Sequence, residues 1–448
     1  MNQLHSIKFI SPLQFYDKLI QLLKKHFPAL IHLWSSSGIV SLANAISIFL
    51  LVTKCPKNIF ASYAIAQAIS FLVNAWTDGG ISLAIQILAA QDANNKIHFE
   101  NYKKESLRLS LRIFLVMGFS LWGIIYFFHN KGKFFEEIPL ALISSFFLVG
   151  LFQTRQSFCL SFLYALGRFN HYSWLQTFSP LFRLVFLIII LYFIRYPVNL
   201  ITLLSLDLVA YGLGWFLSGS FLRKIQNRLL TNNLNSNAPI PHNIRQELWK
   251  FVFPSLQTNV LLSLVHWSGT LFGALFATDT VVAIYSIFQR CNQIFMLAIG
   301  PINNYIGRRL RLIRDVTERV SKAKKSLFFI ASVYPFLSFF LYGVYIIGSK
   351  HFHHYVFEYP NTFIIFLITA FFGIIYSLLD IILSSWGQAN HRFISSWILA
   401  GKILIFSFLQ PKSAALLLIV DGSFLVLIDI IFILIFVSFI RNKHGLKE

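Results

Sequence analysis

IFASYAIAQ at residues 59–67 and VVAIYSIFQ at residues 281–289 are the stretches that decide how this 448-residue chain folds. Ala61, Tyr63, Ile65 and Gln67 match Ala283, Tyr285, Ile287 and Gln289 at an offset of 222 residues. Asp207, in LSLDL, stands to Asp429, in VLIDI, at the same 222. FPAL (27–30) stands to FPSL (253–256) at 226. Chance identity is high in apolar sequence, so no single match decides. Three matches at nearly one offset, in chain order, describe an internal repeat.

The rest of the chain supplies the units being repeated. It is 56% hydrophobic, 17% aromatic and 12% charged, where a soluble domain carries about 25% charged residues. Its mean hydropathy is +0.66. Such values need apolar segments along the whole length, each about 20 residues long to cross about 30 Å of hydrocarbon. Twelve runs qualify: 30–53, 59–89, 107–128, 138–165, 174–194, 199–222, 251–275, 281–307, 326–348, 361–385, 394–410 and 414–440. Six precede the polar linker 223–250, which contains TNNLNSNAPIP (231–241), and six follow it. The expected fold is an all-α polytopic membrane protein of about twelve transmembrane helices in two pseudo-symmetric six-helix bundles, 30–222 and 251–440. An even count per half gives both halves one orientation, hence a parallel repeat about an axis along the membrane normal. In residues 1–29, Phe15, Leu19 and Leu22 recur at helical spacing beside lysines, which predicts an interfacial amphipathic segment. Residues 441–448 form a short tail.

The formal net charge of +21 is informative through its placement. Segments on one side of the twelve runs hold 26 lysines and arginines, and those on the other hold 7. The positive-inside rule puts both termini in the cytoplasm. The densest block, Arg308 to Lys325, is expected to lie against anionic lipids on that face. Placed this way, the basic balance points to topology and not to nucleic acid. Cys55, Cys159 and Cys291 are scattered and form neither a disulfide framework nor a metal site. No cleavable signal peptide is expected, since the first apolar run follows a basic polar segment. No phosphate loop, zinc motif or nucleophile elbow occurs, so no cofactor and no metal is expected. His351, His353 and His354 lie beside Lys350 without a carboxylate cluster and read as interfacial. Gly269 and Gly273 form a GxxxG pair that allows close helix approach.

The repeat aligns two helix breakers, Asp78-Gly79-Gly80 and Gly300-Pro301. Glycine pairs and proline weaken helices. Breaks at matching points of two halves point to a transport pathway; the plain alternative is a kink near the cytoplasmic face. Five cations fall more than two residues inside the runs: Arg112, Arg155, Arg183, Arg290 and Lys402. A charge near the bilayer centre costs at least about 2.5–3.5 kcal/mol, so it faces a cavity or a partner. One reading is a cationic cavity of Arg155, Arg183, Arg290 and Lys402 for an anionic cargo. The other is structural pairing with acids in the runs, for example Arg155 or Arg183 with Asp207. Asp78, Asp207 and Asp429 are candidates for ion coupling or charge pairing. Asp380 and Asp421 lie at similar depths, and Arg112 is near enough to a run's end to snorkel.

KNIFASYAIAQAISFLVNAWTDGGISLAIQ (57–86) and KFVFPSLQTNVLLSLVHWSGTLFGALFATDTVVAIYSIFQR (250–290) resemble the second-helix region and the start of the second half of the polysaccharide transporter family. The shared features are the F-x-x-P opening, two spans joined by a tight turn, and the A-x-Y-S-x-x-x-R run. The chain lacks the Leu-Gly pair that follows the acidic residue in that family. The family contains the Wzx-type lipid-linked oligosaccharide flippases and belongs to the multidrug/oligosaccharidyl-lipid/polysaccharide exporter superfamily. The resemblance implies a MATE-like pair of bundles around an alternately open cavity in a bacterial inner membrane. It implies an undecaprenyl-pyrophosphate-linked glycan, an O-antigen or capsule repeat unit, as cargo, with polysaccharide polymerase and ligase as partners. Two other functions compete. A drug or small-molecule exporter of the same superfamily would favour a cavity of acidic balance. An integral-membrane polysaccharide polymerase would need large outer loops, and the outer loops here are about a dozen residues or fewer.

Overall fold

The computed structural model describes residues 36, 38–89, 96–130, 140–194, 198–230, 244–292, 306, 310, 313, 315–351, 355–385 and 390–444. The expected amphipathic segment 1–29, the break at Gly300-Pro301, the arginines Arg308, Arg309, Arg311 and Arg314, and the last four residues lie outside these. Every regular element among the described residues is helical. The first half comprises α1 (Gly38–Lys54), α2 (Lys57–Asp78), α3 (Ile81–Ala84), α4 (Lys96–Ile113), α5 (Phe119–Asn130), α6 (Leu140–Ala165), α7 (Phe169–Ile188) and α8 (Leu200–Leu230). The second comprises α9 (Ile244–Phe276), α10 (279–292), α11 (Val316–His351), α12 (Pro360–Ser385), α13 (Asn390–Leu409) and α14 (Ala414–His444). Among the described residues nine rods are long and apolar enough to cross a membrane, and α1 and residues 394–409 of α13 are shorter apolar helices. With α10, whose described part opens the eighth expected run, about twelve transmembrane helices result. The chain is a multi-pass membrane protein.

The helices outrun the hydropathy. α9 starts seven residues before its apolar run and α11 starts ten before. α8 continues to Leu230, so the linker 223–250 is helical at both ends. Arg, Lys, Glu and Gln end an apolar run but are good helix formers, so the backbone continues where hydropathy stops. The run 59–89, in contrast, is two pieces. α2 stops at Asp78 because Gly79 and Gly80 take φ of 50° and 91°, the left-handed region that glycine enters without steric cost. The Gly79 N–H closes the helix on the Ala75 carbonyl at 3.0 Å. The pair also permits contact between halves. A β-carbon on Gly80 would lie 2.5 Å from Ser255 Cβ of α9.

Packing repeats between the halves. In the first, α6 packs on α2 and α8, and α7 on α8. In the second, α12 packs on α14, and α13 on α14 and α9. The bundles meet along α2 and α9, where Phe71 stacks on Trp267 at 5.1 Å between ring centroids and Trp76 Nε1 donates to Ser263 Oγ at 2.9 Å. The outward faces are apolar: Phe336, Phe339 and Phe408 are 78–85% exposed. In water such patches would aggregate. Against lipid tails they need no cover.

Candidate functional site

The polar interior is built around two tyrosines that the repeat had already aligned. In the first bundle Tyr63 of α2 donates to Asp207 Oδ2 of α8 at 2.7 Å. Its hydroxyl accepts from Arg183 Nη2 of α7 and from Gln67 Nε2, each at 2.5 Å. One donated and two accepted bonds use the full capacity of a hydroxyl. Arg183 Nε lies 3.0 Å from Asp207 Oδ1. Tyr63, Gln67, Arg183 and Asp207 are all buried. Removing one partner of such a buried pair strands a charge, so each member holds the others in place.

The second bundle repeats the trio with a change. Tyr285 of α10 donates to Asp421 Oδ2 of α14, and Lys402 Nζ of α13 lies 2.6 Å from Asp421 Oδ1. Lys402 occupies the place of Arg183. The acid is Asp421, eight residues before the Asp429 that the 222-residue offset selects. Asp429 is buried, with neither carboxylate oxygen hydrogen-bonded among the described residues. One bond ties the bundles together inside this layer: Arg290 Nη2 of α10 donates to Gln67 Oε1 of α2 at 2.5 Å. Arg290 is buried and its guanidinium stands 5.6 Å from the centre of the Phe60 ring. Of the two guanidiniums, Arg183 faces the Asp207 carboxylate and Arg290 the neutral Gln67 amide. Gln289, the counterpart of Gln67, stays within its own bundle, accepting from Thr270 Oγ1 at 3.0 Å and donating to the His266 carbonyl at 2.6 Å.

A cavity of about 730 Å³ opens between α2 and the second bundle. Its charged lining is Asp78, Lys402 and Asp421. Four amides line it as well: Asn74, Asn259, Gln289 and Asn292. Asn292 Oδ1 is buried without a hydrogen-bond partner among the described residues, and Asn74 Oδ1 accepts from Thr154 at 3.0 Å, leaving its amide N–H groups for other uses. Phe71, Trp267, Tyr285 and Tyr376 present aromatic surface to the same space. Asp78 serves two ends: it lines the cavity and accepts from Ser82 N at 3.0 Å and Ser82 Oγ at 2.5 Å, fastening the chain after the Gly79-Gly80 break.

The four expected cations are therefore divided. Arg183 and Arg290 join the closed network, Lys402 meets the cavity paired to Asp421, and Arg155 of α6 does not line the cavity. Arg155 Nη1 is buried without a hydrogen-bond partner among the described residues. Asp380 is held by Arg392 at 2.8 and 2.9 Å and by His391 at 2.8 Å. Among the described residues no group of three or more His, Cys, Asp or Glu gathers to hold a metal. Tyr63, Tyr285, Gln67 and Gln289 were legible as repeat markers, and their role as the polar centre was not. The signal was a Tyr and a Gln one helical turn apart, twice, inside apolar helices, where unpaired polar groups are costly.

No protein-family description matches this chain, and no curated protein sequence does. Solved structures do. An outward-facing conformation of a multidrug resistance MATE family transporter of the MOP superfamily superposes with a TM-score of 0.64 at 12% identity, over 94% of this chain and 95% of its own. The lipid II flippase MurJ, in an inward closed conformation, superposes with a TM-score of 0.59 at 13% identity, over 89% and 87%. A MOP superfamily transporter from Pyrococcus furiosus, described as having a binding pocket of reverse polarity, gives 0.55 at 14% identity over 94% and 96%. The chain has the fold of these transporters. At such identities the likeness extends to the path of the chain and not to its cargo.

Proposed function

We propose that this protein is a flippase that carries an undecaprenyl-pyrophosphate-linked oligosaccharide, an O-antigen or capsule repeat unit, across the bacterial inner membrane by alternating access, with both termini cytoplasmic. The observation that carries this reading is the lining of the cavity, four amides set among aromatic side chains. Sugar hydroxyls need donors and acceptors together, and an amide offers both. The C–H faces of sugar rings pack on aromatic surface as other apolar groups do. Asn292 Oδ1 and the Asn74 amide nitrogen are the groups left for such a guest.

The pyrophosphate adds about two negative charges to this head group. Arg290 is next in the chain to Gln289 of the lining and is held to Gln67 by a bond with a neutral acceptor. A phosphate brings opposite charge and oxygens that a guanidinium can bond in pairs, so the cargo competes for Arg290 and loosens the tie between bundles. The prenyl tail stays in lipid while the bundles rock. The membrane potential biases the cycle, since one charge moved across 100 mV is worth about 2.3 kcal/mol. Polysaccharide polymerase and ligase would use the product.

The charged lining favours a second reading. Asp78 and Asp421 outnumber Lys402, which suits export of a small cationic molecule. Deleting the gene separates the two. The flippase reading expects one lipid-linked glycan to accumulate in the inner leaflet; without any accumulation it is lost. Increased sensitivity to small cations in its place supports the exporter. For the site, the triple variant Arg155→Ala, Arg183→Ala, Arg290→Ala, with surface expression verified, is expected to abolish complementation. Full activity would remove these arginines from cargo handling.

A further inference from the structure

A second space lies on the outside of the molecule, where the bundles adjoin. Leu109, Arg112 and Val116 form one wall, from α4 and the turn after it, and Arg245, Trp249 and Leu256 of α9 form the other. The groove encloses about 520 Å³. α4 belongs to the first bundle and α9 to the second. Arg112 and Arg245 are both exposed, and neither has a hydrogen-bond or ion-pair partner among the described residues. The carboxylate on this stretch of α9, Glu247, accepts from Tyr102 at 3.2 Å. The remaining lining is mostly apolar, and Val116 and Trp249 are 66% and 43% exposed.

Two unpaired guanidiniums beside an exposed apolar strip describe an amphiphile with an anionic head. Guanidinium forks bind phosphate oxygens in pairs. The strip would cover an acyl chain. The groove sits at the end of the bundles that carries the lysines and arginines of 223–250, where the positive-inside rule places anionic headgroups. A further local feature marks the wall. Between α4 and α5 the rod passes through a π-helical turn, Phe114–Gly118, which includes Val116. Such turns are rare and occur often at functional sites.

We propose that this groove binds an anionic phospholipid, with the phosphate between Arg112 and Arg245 and an acyl chain along Leu109, Val116 and Trp249. Because the walls belong to different bundles, the lipid binds best when α4 and α9 stand at this spacing. It therefore biases the rocking equilibrium toward that arrangement. This site is separate from the cavity, and it stands whichever cargo the cavity takes.

The test uses the purified full-length protein in detergent, titrated with phosphatidylglycerol or phosphatidylcholine of matched chains, or with undecaprenyl phosphate, and read by native mass spectrometry. Wild type is expected to retain phosphatidylglycerol preferentially. Arg112→Gln combined with Arg245→Gln should weaken that binding by about tenfold or more, the equivalent of about 1.4 kcal/mol. Arg112→Lys combined with Arg245→Lys should retain part of it, since the charge stays and the fork is lost. Both sites are exposed, so unchanged thermal unfolding of the variants serves as the folding control. Equal retention of the two lipids by wild type overturns the proposal, as does undiminished phosphatidylglycerol binding by the double glutamine variant. Retention of undecaprenyl phosphate with none of phosphatidylglycerol also overturns it, and would give the groove to a prenyl carrier.

Discussion

The two bundles share a polar trio and use it in opposite ways. In the first, Tyr63, Asp207 and Arg183 are sealed inside protein, with Asp207 1% exposed. In the second, Tyr285, Asp421 and Lys402 form one wall of the 730 Å³ cavity. One trio is closed in on itself as a clamp, and the other borders open space. The difference follows from the bonds each copy makes. Gln67 reaches across to Arg290, whereas Gln289 is satisfied by Thr270 and the His266 carbonyl within its own bundle.

The largest expected effect breaks the clamp. Asp207→Asn leaves Arg183 buried without its counterion, a loss of about 3–5 kcal/mol. Asp421→Asn leaves Lys402 beside a cavity that water can enter, and the loss should be roughly 1 kcal/mol, with transport impaired. Thermal unfolding of the two variants in detergent reads the contrast directly. Equal destabilisation would mean that the trios are equivalent and that the division into clamp and site is wrong.

A smaller effect tests the link between bundles. Gln67→Leu removes the acceptor of Arg290, worth roughly 1.5–3 kcal/mol for a bond to a charged group. Spin labels placed one on each bundle should then show a broader or shifted distance distribution. Gln289→Leu should leave that distribution unchanged, because its bonds do not cross. If both variants widen it alike, Gln67 is not the tie.

Next comes the packing that sets Tyr285 against the cavity. A β-carbon at Gly269 would collide with the Tyr285 ring, so Gly269→Ala should cost about 1–3 kcal/mol through overpacking. At Gly123 nothing lies within 4 Å of an added β-carbon, and Gly123→Ala should stabilise its helix by up to about 1 kcal/mol. Denaturation midpoints measured side by side provide the check. No loss at Gly269 would show that the tyrosine has freedom to move.

The parts of this architecture that hydropathy controls were legible in the sequence. About twelve runs could be read because insertion into a bilayer is decided by local composition, and the Gly79-Gly80 break because a glycine pair weakens a helix. The pairing of Arg183 with Asp207 was one of two open readings, since each charge needed a partner. What local composition does not encode is which side chains meet. Arg290 meeting Gln67 depends on how α10 lies against α2. The selection of Asp421 over Asp429 depends on the height at which α14 passes Lys402. Sequence register fixes neither. Gly269 carried a packing signal whose partner, Tyr285, lies on the next helix and became visible only in three dimensions.

The smallest expected effect is the most direct test of that last point. Asp207 and Asp429 are the pair aligned by the 222-residue offset, and identical substitutions should behave differently at the two. Asp207→Asn removes the counterion of a buried arginine. Asp429→Asn removes nothing that is hydrogen-bonded, because neither oxygen of Asp429 has a partner among the described residues. The amide has nearly the same volume and carries no charge for burial to penalise, so the variant should be no less stable than wild type. A transport assay run beside it decides what the position is for. If Asp429→Asn keeps both stability and transport, the acid is needed for neither. If stability is kept and transport is lost, Asp429 belongs to the ion-coupling machinery. A large loss of stability would mean that Asp429 is paired after all, and the clamp would then have a true counterpart in the second bundle.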